Sequence, residues 1–231
     1  MIRNYKKMKT LEDFKDITPP VKVEFSHDEP TCPFESQMIL RMLVRPKYGQ
    51  FQIPLELNWL SEIIKDLASF DEDYTGIRNS WCYVTVRHGI VTSKTDDEWH
   101  FDGASFRVEL SPERNYLWVN HTPTEYKVGT IDWPADFDPL KHNLFTFAAN
   151  ALKDVPAQSS QAKQWYVIDP FCLHRRPTNP PNISRTFIRI SFTDIEGRDV
   201  NNTLNPLIDT DAYGRDPVKS FRNKLTNYVS K

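Results

Sequence analysis

The sequence predicts a mainly β fold with flanking helices, and three observations carry that reading. Aromatic residues make up 13% of the chain while only 7 of its 231 residues are Gly, and 17 Pro punctuate it. That mixture suits short strands and Pro-bounded loops better than long helices. From residue 76 onward the chain breaks into short β-rich runs at 81–86 (WCYVTV), 106–110, 116–119, 165–168 and 185–193, separated by polar or Pro-containing joints. No self-similar period of roughly 20–50 residues is visible. The sum is helices packed on a barrel or sandwich of many short strands.

In chain order, residues 1–75 read as an N-terminal helical flank within a single domain of 231 residues. The flank holds a strand-like VKVEF at 21–25 and a helix around 36–44 (SQMILRMLV). At 54–69 the pattern is that of an amphipathic helix: Leu57, Leu60, Ile64 and Leu67 share one face, and Pro54 suits the first turn. Residues 76–196 form the β core, interrupted by a helix near 140–152 (LKHNLFTFAANAL). The segment 197–231 is rich in turn formers, with little apolar periodicity, and reads as a long loop that covers something and ends in a short helix.

Composition narrows the function classes. A formal net charge of −2 and 26% charged residues leave no basic excess for nucleic acid or an anionic membrane. No apolar run approaches about 18 residues, and the charged N-terminus is followed by no apolar core, so neither a membrane span nor a secretory signal is expected and the location reads as cytoplasmic. Cys32, Cys82 and Cys172 are odd in number and widely spaced. They read as buried free thiols and not as a disulfide framework or zinc site. Nothing in the sequence bears on oligomeric state.

One short stretch raises a chemical question: Glu98-Trp99-His100-Phe101-Asp102-Gly103, EWHFDG. A His and an Asp two apart on a strand end point the same way, which lets both reach one metal. Chance alone places about one His-x-acid pair in a chain of this composition. A second pair, His27-Asp28-Glu29, indeed exists, but it lies ahead of the β core. Two further pieces stand in order. His174 follows a strand-like WYVI, and eleven residues later Arg185 opens the run RTFIRISF. Period two on that strand puts Thr186, Ile188, Ile190 and Phe192 on a core face, and Arg185, Phe187, Arg189 and Ser191 on the other. The second face is either open to water or lines a polar cavity needing fixed positive charge. Two imidazoles and one carboxylate are the donor set of a mononuclear non-haem iron site with open positions opposite the ligands.

The pattern resembles the Fe(II)/2-oxoglutarate-dependent dioxygenases, whose double-stranded β-helix (jelly-roll, cupin-like) carries an HxD…H triad followed by an Arg on the next strand. The resemblance implies that His100, Asp102 and His174 are iron ligands and that Arg185 pairs with the distal carboxylate of 2-oxoglutarate. The eleven-residue interval is similar to that of the taurine-dioxygenase-like and phytanoyl-CoA-hydroxylase-like branches. Halogenating relatives replace the carboxylate ligand with a small residue; Asp102 is retained, which favours hydroxylation. Arg189 would bind an anionic group of the substrate or pair with a carboxylate of the protein. An alternative register makes Arg189-Ile190-Ser191 the cosubstrate-binding Arg-x-Ser of other branches.

The remaining candidates carry blander readings. His88, His121 and His142 read as surface or satisfied polar residues, and Cys172 as structural. Tyr116, Trp118 and Asn120 line a cavity or form a half-buried strand, while Thr122 and Thr124 offer hydroxyls to 2-oxoglutarate. The functional expectation is an enzyme that takes Fe(II), O2 and 2-oxoglutarate and hydroxylates a small polar or anionic metabolite, such as an amino acid derivative. The alternatives are a cupin-like metal enzyme that does not use 2-oxoglutarate, a dioxygenase acting on a protein side chain or nucleobase, and a metal-free binding module.

Overall fold

A computed structural model describes residues 10–24, 27–90, 98–103, 113–177, 182–197 and 199–208. Its elements are β1 (Asp16–Ile17), β2 (Val21–Lys22), β3 (Gln37–Arg45), α1 (Ser61–Thr75), β4 (Trp81–Ile90), β5 (Arg114–Val119), β6 (Glu125–Lys127), β7 (Gly129–Thr130), α2 (Leu144–Ala151), β8 (Gln158–Ser159), β9 (Tyr166–Ile168), β10 (Leu173–Arg175) and β11 (Ser184–Thr193). The major sheet runs β2-β9-β5-β11-β4-β3 and the minor sheet β10-β6-β8, with every neighbour antiparallel. This is a jelly roll with helices on its flanks, the predicted fold class. No helix among the described residues is long and apolar enough to cross a membrane.

Helix α1 covers the outer face of the major sheet. Leu57, Leu60, Ile64 and Leu67, the predicted stripe, are fully buried in one cluster with Val84, Val86, Ile188, Ile190 and Phe192. The first part, Leu55–Leu60, is 3-10 helix, and α1 then runs past residue 69 to Gly76, which takes the left-handed conformation (φ 73°) that stops a helix cheaply. The extension carries acidic residues because one of them has a buried partner. Asp71 accepts bonds from Arg114 Nε (3.0 Å), Arg114 Nη2 (2.6 Å) and the Tyr116 hydroxyl (2.9 Å), which ties α1 to β5.

The expected helix at 36–44 is instead β3, an edge strand of the major sheet. Ile39 pairs with Val86 and Met42 with Val84, so three steps on β3 match two on β4, a β-bulge. Apolar residues three apart therefore share one sheet face, which imitates helical spacing. The helix predicted at 140–152 is shorter, Leu144–Ala151, because Asn143 caps it by accepting from the amides of Phe145 and Thr146. The expected strand 106–110 and the C-terminal short helix lie outside the described residues; 199–208 contain turns only.

A second core packs α2 and Phe14 against Ile17, Phe101, Ile131 and Leu173 on the outer side of the minor sheet. A small third cluster joins Leu117, Ile168 and Phe187 of the major sheet to Tyr126 of the minor sheet. The two sheets thus face each other, and the space between them is where polar residues collect.

Candidate metal centre

The EWHFDG stretch lies along the edge of the minor sheet. His100 and His174 form an antiparallel bridge, each backbone N donating to the other's O at 3.0 Å. Phe101 and Leu173 are fully buried in the outer core. Strand alternation then sends their neighbours His100, Asp102 and His174 toward the opposite sheet. The residue between the two polar groups of the motif is their anchor, which answers why a large apolar residue stands there.

Ligand atoms of His100, Asp102 and His174 all lie within 4.8 Å of one another. Nδ1 of His100 is 2.7 Å from the Glu98 carbonyl and Nδ1 of His174 is 2.9 Å from the Cys172 carbonyl. A carbonyl can only accept, so each Nδ1 carries the proton and each Nε2 presents a lone pair. Those Nε2 atoms sit 3.9 Å from Oδ1 and 3.6 Å from Oδ2 of Asp102, beyond hydrogen-bond length. Two lone pairs and a carboxylate converging on one point repel one another unless a cation lies between them. Fixing the tautomer through a backbone carbonyl is the usual support of a metal-bound imidazole. The donor set, two nitrogens and one hard oxygen, fits a divalent first-row cation such as Fe(II). Burial pushes the Asp102 carboxyl up, but the Arg189 guanidinium bonded to it holds it well below the ordinary carboxylate range.

The polar face of β11 is turned inward and not toward solvent. Arg185 and Ser191 are buried, and the Arg189 side chain is 21% exposed. Arg189 Nη1 donates to Asp102 Oδ2 at 3.0 Å, the carboxylate pairing of the two roles its position offers. Its Nε is buried with no hydrogen-bond partner. Arg185 donates through Nε to the His121 carbonyl and through Nη2 to the Thr122 carbonyl, both at 3.2 Å, and covers the Phe187 ring. Arg185 and Arg189 share the interior face four residues apart, roughly 13 Å along the strand.

Two interior residues escaped the sequence reading. Arg41 on β3 makes a two-point bond to Glu113, Nη1 to Oε1 at 2.8 Å and Nη2 to Oε2 at 2.9 Å. Burial pushes the Glu113 carboxyl up, but Arg41 and, more weakly, Arg189 hold it below its ordinary value. The available signal was one Arg inside the otherwise apolar run MILRMLV.

The other candidates lie apart from the cluster. His27 pairs with Asp66 at 2.7 Å, His88 Nδ1 meets Thr186 Oγ1, and His142 Nδ1 accepts from the Asp138 amide. Tyr116 and Trp118 are buried in the α1 core, while Asn120 accepts from the Thr186 amide. Thr122 Oγ1 donates to the His121 carbonyl. Thr124 lines a small cleft with Leu117, Val119 and Ile168. Cys172 is buried between the sheets, and its carbonyl orients His174.

No family model and no curated protein matches this chain. Among solved structures it is similar to AviO1 from Streptomyces viridochromogenes Tue57, with 16% identity and a TM-score of 0.40 over 79% of this chain and 74% of that one. It is also similar to EvdO2 from Micromonospora carbonacea var. aurantiaca, complexed with 2-oxoglutarate, with 11% identity and a TM-score of 0.39 over 77% and 75% of the two chains. Likeness at this level transfers no residue role, and the site rests on its own geometry.

Proposed function

We propose that the chain is an Fe(II)- and 2-oxoglutarate-dependent oxygenase that hydroxylates a small polar or anionic metabolite. The observation that carries this reading is the closed His100–Asp102–His174 cluster, with both imidazole Nδ1 protons fixed on backbone carbonyls. These three side chains would hold a ferrous ion through three donors only, fewer than its usual coordination number, which would leave positions for 2-oxoglutarate and O2. Bound iron supplies the oxidising chemistry; overall, 2-oxoglutarate, O2 and a substrate C–H become succinate, CO2 and a substrate C–OH.

The protein's part is positional. His100 and His174 offer Nε2 while Glu98 and Cys172 keep their Nδ1 protons occupied. Asp102 offers an oxygen while Arg189 engages Oδ2. Arg185, buried on the same interior face, is the residue assigned to the distal carboxylate of 2-oxoglutarate, which a planar guanidinium grips at two points.

The test is succinate formation from 2-oxoglutarate by the full chain with Fe(II) and a reductant, over a panel of amino acids and small carboxylates. Succinate release that requires His174, with a 2-oxoglutarate KM raised more than about tenfold in Arg185→Met, is the expected result. Metal binding without consumption of 2-oxoglutarate under any condition would replace this reading with a cupin-like metal enzyme.

A further inference from the structure

Arg189 bonds Asp102 through Nη1 (3.0 Å), and its Nε is buried without a partner. Glu113 lies against the same segment: a Cβ at Gly103, next to Asp102, would meet Glu113 Cβ at 2.9 Å, and Arg189 pairs across the sheet with Thr85, whose hydroxyl receives the Arg41 amide. A guanidinium held by one bond beside a second carboxylate has a choice of partner, and here the choice is settled elsewhere. Both oxygens of Glu113 are taken by Arg41, at 2.8 and 2.9 Å.

The backbone shows how Arg41 comes to be there. Ile39 and Met42 both bury in the α1 core. Without the bulge Arg41 would share the face of Ile39 and enter that apolar core. The extra residue places Arg41 in the left-handed region (φ 46°), its amide donating to Thr85 Oγ1 at 3.0 Å, and turns the side chain to the interior. Its guanidinium covers the Tyr83 ring at 4.8 Å. A Cβ at Gly197 would meet Arg41 Nε at 2.8 Å and Nη2 at 2.9 Å, so a side chain there would have to displace the guanidinium. The Gly197 amide donates to the Tyr83 hydroxyl at 2.8 Å, which fixes the segment in that place. A strained backbone position, a ring and a bare glycine thus hold one guanidinium on one carboxylate.

From this geometry we infer that Arg41 is a positioning residue for the metal centre: by occupying Glu113 it keeps Arg189 on Asp102, so that Asp102 presents its other oxygen to the metal. The inference rests on the reading of Asp102 as a ligand. Loss of Arg41 leaves Glu113 buried beside Arg189, and the opposite charges draw together. Asp102 then loses the bond that sets its orientation.

The experiment compares metal affinity in the wild type, Arg41→Met and the double variant Arg41→Met/Glu113→Gln, by anaerobic chelator competition with Fe(II) and Co(II). Arg41→Met is expected to bind metal about 10- to 100-fold more weakly, the range for loss of outer-shell support. The double variant, with no carboxylate left to compete for Arg189, is expected to recover to within about threefold of the wild type. A purely structural role for Arg41 predicts no recovery. Unchanged affinity in the single variant, or no recovery in the double, overturns the inference. Should Arg41→Met fail to fold, Gly197→Ala crowds the same guanidinium without removing its charge and is expected to weaken metal binding in the same direction; unchanged affinity there overturns the inference. A wild type that binds no metal would overturn the reading of the site instead. A crystal structure of Arg41→Met then decides the inference: Arg189 on Glu113 supports it, and Arg189 still on Asp102 refutes it.

Discussion

Phe101 is the residue through which the outer core sets the position of two proposed ligands, and Phe101→Leu tests that link. The ring is fully buried, with edge-on and tilted contacts to Phe14 (5.8 Å, 73°) and Phe145 (6.0 Å, 60°). Full truncation to Ala would cost about 3–5 kcal/mol, a large share of a domain's stability. Leu keeps most of the apolar volume but loses both ring pairs, each worth about 0.5–1.5 kcal/mol, so the expected loss is about 1–3 kcal/mol. For a chain of this size that is a fall in Tm of about 3–10 °C. Because His100 and Asp102 flank the ring, metal affinity should fall by about tenfold as well. The comparison is Phe137→Leu, in the same core but far from the motif in sequence and packed on Trp133 and Phe147. It should lower Tm without changing metal affinity. Thermal melts by circular dichroism and Co(II) titration read the two effects separately. A Phe101→Leu protein with the expected Tm loss and wild-type metal affinity would refute the anchoring argument.

Other parts of the structure make equally definite forecasts. Asp71→Ala strands the fully buried Arg114 guanidinium and should cost about 3–5 kcal/mol in urea denaturation, whereas Asp71→Leu/Arg114→Met should recover most of it. Glu113 has a folded pKa below its unfolded value, so it stabilises the fold above about pH 4.3, and that contribution disappears as pH falls through the lower folded value. The acid limb of the stability profile should therefore be shallower in Glu113→Gln, and identical profiles would contradict the buried pairing. Thiol titration of the native protein should modify Cys32 alone, since Cys82 and Cys172 are buried and burial pushes the Cys82 thiol up to about 12; all three should react in denaturant.

What the sequence disclosed and what it hid follow from the range of the interactions involved. The α1 stripe, the division of β11 into two faces and the order His100, Asp102, His174 are periodic or local patterns, and each survives in three dimensions, although only the structure shows that the Arg185 and Arg189 face turns inward. The misread segment 36–44 shows the limit of periodicity. A bulge places Ile39 and Met42 on one sheet face at helical spacing, and only pairing with Val86 and Val84, more than forty residues away, identifies the strand. Arg41 and Glu113 were invisible for the same reason: they are 72 residues apart, and neither belongs to a motif. The pairing of Arg189 with Asp102 spans 87 residues. Sequence placed Arg189 on the correct face but could not say which anion it meets.

Whether His100, Asp102 and His174 form one metal site is decided by anaerobic titration of the apo-protein with Fe(II), followed by 2-oxoglutarate. One equivalent of iron should bind, and a weak visible charge-transfer band should appear on adding 2-oxoglutarate, both lost in His174→Ala. Wild-type protein that binds no iron, or a His174→Ala variant that binds iron as tightly as the wild type, would contradict such a site.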